Sequence, residues 1–136
     1  MNKFPTTPDE ITTDWLTNAL GHTVDEFRVE PLGEGGGLLG LVARLHIKGQ
    51  GLPNTLIAKF PTPTPENRAV AEVYDMYGRE YRFYTQVAPT VPLRSPKCHY
   101  AAYDDDSGNL ALLLQDLSNM RLGDQVKGCS NAEAHA

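Results

Sequence analysis

Apolar and polar residues alternate along several short segments of this chain, as they do in a strand that buries one face. The longest such segment spans residues 39–48, and a glycine-rich turn separates it from a second at residues 56–60. Within the second segment, Ile57 and Lys59 fall on one face and three apolar side chains on the other. Residues 24–32 show the same alternation and predict a strand before both.

Two further segments predict a hairpin. Residues 98–103 and 110–114 are apolar enough for strands, and the acidic turn 104–109 between them contains Asp, Ser, Gly and Asn, the residues that favour turns. The short connections between the predicted strands favour antiparallel pairing. The sequence therefore predicts a sheet of five antiparallel strands.

Helical spacing appears in two places. A capping-box pattern at residues 7–10 opens a repeat of apolar residues that ends at Gly21, which predicts one helix or two short ones. Thr64 and Pro65 cap a long helical stretch over residues 66–87, which Gly78 could kink or divide. The predicted fold class is α+β: a five-stranded antiparallel sheet with an N-terminal helix and one long helix packed on it.

Composition and charge narrow the range of possible functions. The 136 residues carry a net charge of −5 with no basic run, which disfavours nucleic-acid binding. No apolar stretch resembles a signal peptide or a membrane span, so we expect a cytoplasmic protein without a membrane partner. Cys98 and Cys129 stand apart, and no motif of a hydrolase or metalloenzyme occurs. Oligomeric state is not predicted.

A glycine-rich loop precedes the longest strand. Its sequence, Gly35-Gly36-Gly37-Leu38-Leu39-Gly40-Leu41-Val42, contains the spacing G-x-G-x-x-G-x-V. This spacing occurs in kinase nucleotide loops, and its first part also in dinucleotide-binding folds. The dinucleotide fold requires a helix after the last glycine, whereas strand alternation follows here. The loop therefore favours a flap between two strands that covers a phosphate.

Lys59 stands among apolar residues on a predicted strand, where an unpaired ammonium would be costly. Glu80 lies on the apolar face of the long helix, with Phe83, Tyr84 and Val87 at the following helical positions, so we expect it to pair with Lys59.

Three alternatives stay open for these two residues. Lys59 could extend to water from an edge strand, and Glu80 could pair with Arg79, Arg82 or solvent. Glu72 competes for Lys59 from two turns earlier in the helix.

Taken in order, these motifs resemble the N-terminal lobe of protein-kinase-like phosphotransferases. The phrases Leu-Ile-Ala-Lys-Phe-Pro, Gly-Arg-Glu-Tyr-Arg-Phe-Tyr and Leu-Leu-Leu-Gln-Asp-Leu are most similar to the aminoglycoside phosphotransferase and ecdysteroid-kinase-like group. The resemblance covers nearly the whole chain and implies one kinase-like lobe over residues 1–136. It comprises a helical segment at 1–22, the sheet and long helix at 23–117, and a linker at 118–136 toward a C-terminal lobe.

The resemblance implies a site for ATP. The glycine loop would cover the phosphates, Val42 and Ile57 would line the adenine pocket, and Lys59, oriented by Glu80, would hold the α- and β-phosphates. Gln115 and Leu117 correspond to the hinge, whose main chain would bond the adenine edge. The implied nucleotide-binding residues are Gly35, Gly36, Gly37, Gly40, Val42, Ile57, Lys59, Glu80, Gln115 and Leu117.

The resemblance also implies what this sequence lacks. The catalytic aspartate and the ligands of Mg²⁺ come from the C-terminal lobe in this group, as do the contacts to the small-molecule hydroxyl acceptor. We therefore expect a lobe truncated before the catalytic loop, with no catalytic or metal-binding residue of its own and no activity alone. The alternatives are a non-catalytic module of the same fold that binds a nucleotide or a protein, and, less favoured, a dinucleotide-binding oxidoreductase.

Overall fold

The computed structural model describes residues 3–33, 39–124 and 126–135. Five strands form one sheet: β1 (Glu26–Pro31), β2 (Gly40–Lys48), β3 (Thr55–Pro61), β4 (Cys98–Asp104) and β5 (Asn109–Gln115). Four α-helices accompany them in the described residues: α1 (Thr13–Leu20), α2 (Pro65–Val73), α3 (Met76–Arg82) and the short α4 (Asn131–Ala134).

The sheet is antiparallel throughout, in the order β1-β2-β3-β5-β4. The predicted class, α+β with five antiparallel strands, is confirmed. In this order β5 lies between β3 and β4, so the hairpin formed by β4 and β5 joins the sheet through its second strand. One β-bulge interrupts the β4–β5 pairing between Cys98 and Tyr100.

The N-terminal segment forms two short helices, which was one of the two predicted alternatives. A 3₁₀ turn, Pro8–Glu10, precedes α1, whose N-terminus is capped by the Thr12 side chain accepting a bond from the Trp15 N–H at 3.1 Å. Gly21 ends the helix in the left-handed conformation with φ of 70°, where glycine is favoured.

The prediction of a single long helix over residues 66–87 is wrong. The segment consists of α2, α3 and a π-helical turn, Phe83–Val87, and the break falls at Asp75 rather than at Gly78. Asp75 adopts a left-handed φ of 48°, which α-helices do not accommodate. Its carboxylate folds over the start of α3, where a Cβ on residue 78 would clash with Oδ1, and it pairs with Arg82. Gly78 therefore permits the break.

Helices cover both faces of the sheet. On one face, α1 and the N-terminal segment pack against a wholly apolar set of strand residues, with Phe60 and Leu16 fully buried. On the other face, α2 and α3 pack against a smaller cluster around Tyr77. The strand residues of the first cluster are Leu45, Ile47, Leu56, Ala58, Phe60, Ala111 and Leu113, and those of the second are Leu110, Leu112 and Leu114.

Among the residues that the structure describes, no helix has both the length and the apolar character needed to cross a membrane.

Candidate functional site

Three of the predicted site residues lie side by side on the face of the sheet that α3 covers. Val42 in β2 is the direct neighbour of Lys59 in β3, and Ile57 lies two residues away from Lys59 on the same face. On the other side of β3, Leu112 of β5 is opposite Lys59 and Leu114 is opposite Ile57. The lysine is thus surrounded by apolar strand neighbours.

The predicted pairing of Lys59 with Glu80 is confirmed. The Lys59 ammonium donates a hydrogen bond of 2.7 Å to Oε1 of Glu80 on α3, and the two side chains are 31% and 24% exposed. The ammonium is therefore neither buried nor free, because a carboxylate fixes its position while solvent still reaches it. An anion arriving from solvent would meet an oriented positive charge.

Two of the alternative partners are engaged elsewhere. Glu72 bonds Arg68 at 3.2 Å, and Arg82 pairs with Asp75. Glu80 is the carboxylate that bonds Lys59.

Gly40 lies against the lysine at the start of β2. A Cβ placed on residue 40 would lie 3.2 Å from Cε of Lys59, a tighter contact than side chains normally make. Gly40 is buried, so its missing side chain lets β2 approach the lysine stem closely. The predicted phosphate-covering residues Gly35, Gly36 and Gly37 lie outside the described residues.

The hinge segment, residues 115–117, leaves the sheet at the end of β5. Its main-chain groups are partly engaged: the N–H of Gln115 donates to the Lys97 carbonyl at 2.8 Å, and the Leu117 carbonyl accepts from the Met120 N–H at 2.9 Å. The Gln115 side chain accepts a further bond from the Lys97 N–H at 3.1 Å. The N–H of Gln115 is therefore already paired, so a base contact at this residue would use its carbonyl.

The sequence prediction missed one ion pair near this site. Arg44 of β2, which lies opposite Ile57, donates from Nε to Oδ2 of Asp116 at 2.8 Å. Burial by itself would raise the pKa of Asp116, but hydrogen bonds from the Ser118 main chain, Thr55 and Arg44 lower that pKa to about 2. A carboxylate directly after a buried, leucine-rich strand was the available signal, because such a group needs a partner.

A second carboxylate lies on the other side of Arg44. Glu30 of β1 accepts a bond of 3.3 Å from Arg44 and one of 2.6 Å from His46. The hydrogen bond with His46 is the main cause of the lowered pKa of Glu30. Through Arg44, these contacts connect the edge strand β1 to the hinge segment.

The acidic turn between β4 and β5 makes polar contacts both within itself and with α2. Asp104 accepts bonds from the Ser107 hydroxyl at 2.8 Å and the Asp106 N–H at 3.0 Å, which lower its pKa. Arg68 of α2 donates to the Ser107 carbonyl and to the Asn109 side chain, each at 2.9 Å. Across residues 3–33, 39–124 and 126–135, no three carboxylate, histidine or cysteine side chains are grouped so that they could hold a metal ion.

Comparison with models of protein families, with curated proteins and with solved structures found no match for this chain. What the fold and site define is an α+β protein with an oriented lysine on a five-stranded antiparallel sheet.

Proposed function

We propose that this chain is the ATP-binding lobe of a phosphotransferase that phosphorylates a hydroxyl group of a small molecule. The observation that carries the proposal is the Lys59–Glu80 ion pair, placed on the sheet face beside Gly40 and Val42. The order of elements supports it, because the glycine loop lies between β1 and β2, the lysine on β3 and the glutamate on the following helical segment. The proposed cytoplasmic location rests on the sequence alone.

The described residues fit a nucleotide in two respects. Lys59 offers a fixed ammonium that solvent reaches, which suits the α- and β-phosphates, and Glu80 keeps it in place by charge-assisted hydrogen bonding. Val42 and Ile57 offer a half-buried apolar surface on the same face of the sheet, which suits a flat purine ring. ATP would supply the transferable γ-phosphoryl group.

The roles of the protein's own groups are then binding and orientation. Lys59 would neutralise phosphate charge, and the hinge segment would orient the base through the Gln115 carbonyl and the Leu117 N–H. The Mg²⁺ ligands, the base that accepts the hydroxyl proton and the acceptor contacts are assigned by the proposal to a second lobe, as in the group that the sequence resembles.

A titration of the ¹⁵N-labelled chain with ATP, followed by amide chemical shifts, tests the proposal. We expect weak, saturable binding with shifts centred on Gly40, Val42, Lys59 and Leu117. Lys59→Met should weaken binding roughly 10- to 100-fold, because a hydrogen bond to a charged group contributes about 1.5–3 kcal/mol.

Lys48→Met is the matched control. Lys48 also lies on a strand and is also paired with a glutamate, Glu26, but both side chains are largely exposed and lie at the far end of β2. ATP binding should change less than about twofold in this variant. Equal losses in the two variants would mean that ATP responds to overall charge, and the proposed site would be wrong.

A second function is favoured by one observation. Val70, Val73 and Tyr74 expose apolar side chains along α2, and Val73 is 79% exposed. Such a patch is typical of surfaces that bind another protein, so a non-catalytic module of this fold is the alternative. A chain that shows no shifts with ATP but whose α2 amides broaden with increasing protein concentration would favour this alternative.

A further inference from the structure

Asp116 is turned inward between the two hinge residues that the proposal assigns to the base. Its side chain is only 6% exposed, although it lies in a segment that leaves the sheet and has exposed neighbours. A carboxylate is seldom buried in such a position without partners, because its desolvation is unfavourable. The partners of Asp116 therefore indicate what the segment is held against.

Two groups provide those partners. Oδ2 accepts a bond of 2.8 Å from Nε of Arg44 in β2, and Oδ1 accepts one of 2.9 Å from the Ser118 N–H in the turn that follows. We call Arg44, Asp116 and Ser118 the hinge clamp.

The clamp is well suited to fix the main chain at residue 116. Arg44 is itself held on its other side by Glu30, so its guanidinium has two carboxylate partners and little freedom to turn. The preceding residue, Gln115, is held by both its N–H and its side chain to Lys97. The hinge segment is thus restrained from β2 on one side and from the start of β4 on the other.

We propose that the hinge clamp is a positioning device that gives the nucleotide site its selectivity for adenine. The inference rests on the proposed function. By holding residue 116, the clamp fixes the Gln115 carbonyl and the Leu117 N–H, an acceptor and a donor separated by one residue. Adenine presents a donor at its amino group beside an acceptor ring nitrogen, whereas guanine presents an acceptor oxygen at the corresponding position. A fixed acceptor and donor therefore match adenine and mismatch guanine.

The two parts of the site should then respond differently to mutation. Lys59 would contact phosphates, which ATP and GTP share, so its removal should weaken both nucleotides equally. The clamp would act on the base edge alone, so its removal should change the ratio of the two affinities. A purely structural role in stability would change neither nucleotide selectively.

The experiment is a set of amide-shift titrations of the full chain with ATP and with GTP. The wild type should prefer ATP by roughly 5- to 150-fold, the range of a good bidentate base contact. Asp116→Asn should reduce this preference to within about threefold while GTP affinity stays within about twofold of wild type. Lys59→Met should lower both affinities by the same factor.

Two further variants keep the test decisive. Glu30→Gln removes the second carboxylate partner of Arg44 without breaking the Arg44–Asp116 ion pair, so it should fold and should reduce the preference for ATP by a smaller factor. Glu26→Gln removes a carboxylate from an exposed ion pair with Lys48 that is not part of the clamp, and it should leave the preference unchanged.

The possible failures are distinguishable. Binding of neither nucleotide by the wild type would overturn the proposed function and the selectivity with it. Binding of ATP with an unchanged ATP-to-GTP ratio in Asp116→Asn and Glu30→Gln would leave the proposed function standing and overturn the clamp's role.

Discussion

The two faces of the sheet bury their side chains in different ways. The face under α1 contains only apolar strand residues in its core, and Phe60, Leu56 and Leu45 are completely shielded from solvent. The face under α3 mixes apolar residues with charged side chains, among them Lys59 and Arg44, each held by a carboxylate. Alternation along one pair of strands generates both faces, because successive side chains point in opposite directions.

The α1 face contributes most of the stability, and the α3 face carries the candidate site. Apolar burial contributes in proportion to area and requires no specific geometry, so the α1 face can hold the sheet together without offering anything to a ligand. The ion pairs of the α3 face contribute less to stability but orient charge and main chain. The same strands therefore anchor the fold and present the candidate site.

The largest effect is expected on the α1 face. Phe60→Ala removes a ring that is 0% exposed and should lower the free energy of unfolding by about 3–5 kcal/mol, through lost burial and the cavity left behind. Urea denaturation monitored by circular dichroism measures this change in the free energy of unfolding. Val73→Ala, on the exposed side of α2, is the control and should change stability by less than about 0.5 kcal/mol.

The next largest effect is expected at Asp116, and it should depend on pH. A pKa lowered from 3.8 to about 2 stabilises the folded state above pH 4, and this contribution disappears as pH falls toward 2. Asp116→Asn should therefore cost about 2 kcal/mol at pH 7. The difference between wild type and variant should shrink between pH 4 and pH 2 in denaturation experiments. A difference that is constant across this range would contradict the role given to the ionised carboxylate.

A smaller effect on stability is expected at the candidate site itself. Lys59→Met keeps the apolar stem and removes the charge, and the exposed fraction of Glu80 allows water to replace the lost partner. The free energy of unfolding should fall by about 1 kcal/mol or less, in contrast to the large loss expected in nucleotide affinity. A loss as great as that of Phe60→Ala would show that the pair is chiefly structural.

The smallest effect is expected at the far end of β2. Glu26→Gln breaks an ion pair with Lys48 whose two side chains are largely exposed. Thermal unfolding of this variant should match that of the wild type, with a change below about 0.5 kcal/mol, because exposed pairs contribute little. A larger loss would mean that the edge of the sheet, rather than its buried face, limits stability.

Local patterns predicted the strands and the principal ion pair. Alternation fixes which side chains share a face, and helical spacing placed Glu80 toward the sheet, so the contact with Lys59 followed from two short segments. The α2–α3 break did not follow, because it depends on the left-handed Asp75 and on the fit of its carboxylate over Gly78. Nor did the hinge clamp, since Arg44 and Asp116 are 72 residues apart and meet only through the pairing of three strands.

The most direct test of the central claim is the paired ATP titration of wild type and Lys59→Met, monitored by amide shifts at Gly40, Val42 and Leu117. We expect saturable shifts at these three positions in the wild type and binding that is roughly 10- to 100-fold weaker in the variant, while Lys48→Met behaves as the wild type. Shifts that are absent, that lie elsewhere, or that persist unchanged in Lys59→Met would contradict it.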